Sequence, residues 1–120
     1  MTIQEKNKLI CEFLGGEVYE IWKVQDYTTW AWKGQVSLEF RKKFWKFVKD
    51  DIQQRILVDH TLFHKDWSWL MIAAEKAYNE MNPYVTTREW FRVALSSFDI
   101  NQVYEATIQA IEIIKSRRKL

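Results

Sequence analysis

The 120-residue sequence contains one cysteine, one proline and three glycines. With Cys11 alone no internal disulfide can form, which suits a reducing compartment. So little proline and glycine leaves no room for a long linker, and neither a low-complexity segment nor an internal repeat is present. No run approaches the roughly 20 apolar residues of a membrane span. The polar opening from Met1 to Lys6 lacks the apolar core of a signal peptide. Charge of one sign is scarce too. Eighteen Lys and Arg face sixteen Asp and Glu, a net +2, which argues against a dedicated nucleic-acid binder. Glycine-rich phosphate loops, a nucleophile-elbow serine and paired zinc-ligand cysteines are missing, which counts against the common enzyme classes. Together these absences predict a soluble cytoplasmic protein with no membrane contact and no cofactor.

Apolar residues make up 48% of the chain and charged residues 28%, proportions that fit a folded globule rather than a disordered chain. The length fits one domain, so residues 1–120 are read as a single unit. Seven tryptophans give the composition an aromatic bias.

The chain opens with helix signals. Thr2 and Glu5 have capping-box spacing, Leu9, Ile10, Phe13 and Leu14 follow at helical period, and Gly15-Gly16 ends the segment. Residues 17–24, rich in β-branched and aromatic side chains, read as a strand. Gln25 to Lys33 reads as a loop. Val36, Leu38 and Phe40 alternate with polar residues and predict a second strand over 35–41. Phe40, Phe44, Val48, Ile52 and Ile56 recur every four residues, which favours a helix over 42–57, with strand as the rival.

Asp66 is placed to cap a helix over 66–81, with a stripe of Trp67, Leu70, Met71, Ala74, Ala77, Tyr78 and Met81, stopped by Asn82-Pro83. Thr86 and Glu89 repeat the capping-box spacing ahead of Trp90, Phe91, Ala94 and Leu95, which favours a short helix over 88–96, with strand as the rival. Asp99 and Gln102 introduce a final helix, whose stripe runs from Ile100 through Val103, Tyr104, Thr107, Ala110 and Ile111 to Ile114. Its last turns carry Lys115, Arg117, Arg118 and Lys119, which suit the negative end of the helix dipole. Apolar stripes must pack on something, so the expected fold is α+β, a small antiparallel sheet packed with three or more helices.

Two segments, Phe63-His64-Lys65-Asp66-Trp67-Ser68-Trp69-Leu70-Met71 and Ala94-Leu95 through Asp99-Ile100 and Val103-Tyr104-Glu105-Ala106 to Lys115, form a further pattern with Glu5-Lys6-Asn7-Lys8-Leu9-Ile10 and Glu12-Phe13-Leu14-Gly15-Gly16. Together they resemble the phage ABA sandwich domain, a family of small proteins of Bacteroidetes and their phages. The resemblance covers about half the chain. It implies an αβα sandwich-like fold and a bacterial or prophage setting. It implies no activity and supplies no catalytic residue. The family's aromatic-rich C-terminal run is replaced here by Ala110-Ile111-Glu112-Ile113-Ile114-Lys115-Ser116.

His60 and His64 are spaced as two zinc ligands on a helix would be, but no third ligand stands at suitable spacing, and polar residues at a helix entrance are the simpler reading. Cys11 lacks a base in sequence and reads as a structural thiol. Glu17 with Glu20, and Asp50 with Asp51, read as solvated charges rather than acid/base pairs. Trp30 and Trp32 lie two apart, so an extended backbone points both indoles to one side, as a stacking platform if exposed or as core if buried. Trp69 lies off the predicted stripe and is the better interface candidate. Arg41, Lys42, Lys43, Lys46 and Lys49 interleave with Phe44, Trp45 and Phe47, a mixture used to bind single strands, although Asp50 and Asp51 cut the field.

The favoured functional reading is a non-enzymatic interaction module with a protein partner or a second copy of itself, through Trp30, Trp32 or Trp69. The alternative is nucleic-acid binding through residues 41–49. A small enzyme ranks third.

Overall fold

The computed structural model describes residues 1–15, 17–33, 55–81 and 85–118. Their element order is α1 (Ile3–Leu14), β1 (Glu17–Val24), β2 (Tyr27–Lys33), β3 (Arg55–Leu57), a 3-10 turn (Val58–His60), α2 (Trp67–Glu80), α3 (Val85–Leu95) and α4 (Ile100–Arg118). Among the described residues a three-stranded antiparallel sheet and four helices make the fold α+β, as expected. The chain divides into two compact units, Met1–Thr61 and Leu62–Leu120.

In the first unit, α1 begins with the expected reciprocal cap. The Glu5 amide donates to Thr2 Oγ1 at 3.1 Å, and the Thr2 amide donates to Glu5 Oε1 at 3.2 Å. Hydrogen bonds to the carboxylate, first from the Thr2 backbone amide and then from the Thr2 side chain, hold the Glu5 pKa below its ordinary range. Gly15 closes the helix at φ 105° and ψ 162°, a region open essentially to glycine alone.

Residues 27–33, expected as a loop, are a strand. β1 and β2 pair from Glu17↔Lys33 to Val24↔Tyr27, leaving Gln25-Asp26 as a two-residue hairpin turn. Gln25 takes φ 54°, the positive value that hairpin twist requires. No glycine marks the turn in the sequence. The aromatic and β-branched residues Tyr27, Thr28, Thr29, Trp30 and Trp32 supply the strand propensity. Arg55–Leu57, expected as the end of a helix, instead pair with β2, Ala31 opposite Leu57 and Trp32 opposite Ile56. The strand predicted over 35–41 and the rest of the segment 42–57 lie outside the described residues.

α1 lies along one face of β2. Gln4 Nε2 donates to the Thr28 carbonyl at 2.6 Å, Lys8 Nζ sits 4.1 Å from the centre of the Trp30 ring, and Trp32 Nε1 donates to the Gly15 carbonyl at 2.9 Å. Thr28, Trp30 and Trp32 alternate along the strand, so they share a face. Their contacts advance along α1 in the same order, so helix and strand run in the same direction. Eleven helical residues rise about 16 Å and four strand residues about 13 Å, so the two lengths match. Ile10, Cys11, Ala31, Trp32 and Val58 are fully buried in this unit.

The second unit is helical. Asp66 caps α2 as expected, its Oδ1 accepting from the amides of Ser68 at 2.8 Å and Trp69 at 3.3 Å. Asp99 Oδ1 accepts from Asn101 at 2.9 Å and Gln102 at 3.4 Å at the start of α4. The ambiguous segment 88–96 lies mostly within helix α3, which starts at Val85, one residue before the expected cap at Thr86. The His64 ring lies 6.2 Å from the Tyr104 ring at one end of the α2–α4 pair, and Arg118 bonds Glu80 at 2.7 Å at the other. α2 and α4 therefore run in the same direction. Ala73, Ala74 and Ala77 on α2 and Ala106 and Ala110 on α4 are buried, and short side chains let adjoining helices approach closely.

The buried stripe of α2 differs from the expected one. Trp69, Leu70, Ala73, Ala74, Ala77 and Met81 are buried, whereas Trp67 and Met71 are about two-fifths exposed. α2 is apolar around much of its circumference, so periodicity alone leaves two overlapping stripes available. Packing selects the one carrying the alanines.

Candidate interaction surface

The residues nominated from sequence fall into three groups. Trp32 is fully buried, and Trp30 is half-buried beneath the Lys8 ammonium. Trp69 is 7% exposed and meets Phe63 edge-on, ring centres 5.2 Å apart at 82°. The expectation that Trp32 or Trp69 offers an indole to a partner is therefore corrected. Both indoles fill core, because β2 turns Trp32 toward α1 and α2 turns its alanine-bearing face inward. Arg41, Lys42, Lys43, Lys46 and Lys49 lie outside the described residues, as do Asp50 and Asp51.

Among the described residues the polar candidates do not assemble into a reaction centre. His60 is exposed on the 3-10 turn. His64 is half-buried, and burial, aided by the neighbouring Lys65 charge, lowers its pKa and favours the neutral ring. Among the described residues no group of three His, Cys, Asp or Glu side chains could hold a metal ion. Cys11 is fully buried, and desolvation, reinforced by the Glu12 charge, pushes its thiol well above the ordinary range. Glu17 and Glu20 are exposed on β1. A shallow depression on α4 is lined by Gln109, Glu112, Ile113, Ser116 and Arg117, all from one helix. A substrate cleft usually draws converging polar groups from several elements. No described helix is long and apolar enough to cross a membrane.

What the structure does bring together is an apolar face at the hairpin end. The pairing shifts between Glu20 and Trp22, leaving Ile21 as an extra residue in β1. Directly opposed residues share a face of the sheet, so Val24 lies beside Tyr27 and Trp22 beside Thr29. Trp22 is 53% exposed, Val24 63% and Tyr27 53%. The two-residue turn sets Trp22 and Val24 on the face shared with Tyr27, and the bulge, farther from the turn, moves Glu20 and Val18 to the opposite face, across from Trp30 and Trp32. Tyr27 Oη donates to Asp59 Oδ2 on the 3-10 turn, which fixes the phenol and raises its pKa by stabilising the protonated form. The face is thus presented by the β1–β2 ladder on one side and the Tyr27–Asp59 tie on the other.

Neither Trp22 nor Tyr27 stood out in the sequence. Reading residues 25–33 as a loop hides their pairing. Treating Gln25-Asp26 as a two-residue turn between β-forming runs would have placed both on one face. The chain also exposes apolar side chains on the helical unit, at Trp67, Met71, Trp90, Val93 and Phe98.

Comparison with protein-family models, curated proteins and solved structures gives no match.

Proposed function

We propose that this chain is a non-enzymatic protein-interaction module whose docking side is the hairpin face of Trp22, Val24 and Tyr27. The observation that carries the reading is the register that sets these three side chains, each more than half exposed, on one face. Aromatic side chains combine a large apolar area with low conformational entropy and dominate protein interfaces. Together the three expose on the order of 300 Å², within the range of the largest patch on an ordinary monomer, which is often functional. A stable interface uses roughly 800 Å² per partner. The expected contact is therefore weak and reversible, with a second copy of the chain as the partner to test. The lone buried thiol and the resemblance to the phage ABA sandwich domain support a cytoplasmic, bacterial or prophage-derived setting.

Sedimentation velocity from micromolar to millimolar concentration tests the proposal. Reversible association is expected in the native chain and is lost in Trp22→Ser, with far-UV circular dichroism unchanged. A native chain that stays monomeric throughout, or a Trp22→Ser variant that associates equally well, overturns the assignment.

A further inference from the structure

We draw no further inference here: the strongest candidate, the exposed apolar surface of α3 and of the connection after it at Trp90, Val93 and Phe98, is an unpartnered face, and nothing in the structure shows what covers it.

Discussion

The indole of Trp32 donates to the carbonyl of Gly15 at 2.9 Å, tying the middle sheet strand to the residue that ends the first helix. The bond joins positions 17 residues apart. It also uses a carbonyl left over where the helix stops. Trp32→Phe keeps most of the ring and removes the donor. The acceptor is part-buried, so losing its donor is expected to cost about 0.5–1.5 kcal/mol, the net worth of an ordinary hydrogen bond. Urea denaturation is expected to show a fall in stability of that size with an unchanged m-value. Native-like stability in Trp32→Phe would mean that the Gly15 carbonyl is equally well served by water.

Trp67 and Trp69 sit two residues apart on α2 with opposite fates. Trp69→Ala empties a core position against Phe63 and is expected to cost about 3–5 kcal/mol. Trp67→Ala, at a position two-fifths exposed, is expected to cost less than about half of that. Thermal or denaturant unfolding of the two variants reads the difference. Equal losses would place the core face of α2 where the simple stripe of Trp67 and Met71 puts it.

Phe98 holds φ 60° between α3 and α4, with its side chain 90% exposed. A left-handed conformation costs a residue with a Cβ about 1–2 kcal/mol. The conformation is fixed from both sides. The Ser97 amide donates to the Ala94 carbonyl at 3.2 Å, and the Asp99 amide donates to Ser97 Oγ at 3.3 Å. Phe98→Gly relieves the backbone cost but adds freedom to the unfolded chain, so a net gain of about 0.5 kcal/mol is expected. Phe98→Asn is expected to gain similarly, and Phe98→Ala, which keeps the Cβ, to gain little. A melting series over the three variants checks the order, and destabilisation by glycine would contradict it.

Cys11 is fully buried with its thiol pKa raised, so the reactive thiolate is scarce near neutral pH. A thiol reagent such as dithionitrobenzoate is expected to leave it unmodified under native conditions and to label it completely in guanidinium. The sign is set by the raised pKa. Alkaline pH increases the thiolate in the folded chain only as it approaches that higher value, so native labelling remains slow at mildly alkaline pH. Rapid labelling of the native chain would show that α1 opens readily.

Helix ends were legible wherever a short polar side chain meets an orphan amide, as with Thr2, Asp66 and Asp99. These signals are local, and a few neighbouring residues decide them. The hairpin was not legible, because its turn is built on Gln25 at φ 54° rather than on glycine. The strand after it was hidden for the same reason, and with it the face that joins Trp22 to Tyr27. Trp69 was misplaced for another cause. Two apolar stripes overlap on α2, and only the neighbouring helix chooses between them.

By itself, the sequence determined the α+β character, the starts of α1, α2 and α4, the stop at Gly15 and the lack of disulfides. Each follows from composition or from contacts within one turn of chain. Tertiary structure alone decided which tryptophans are buried and which side chains share the hairpin face. Burial depends on partners distant in sequence, and the hairpin face depends on the pairing register that the turn at Gln25-Asp26 sets between β1 and β2.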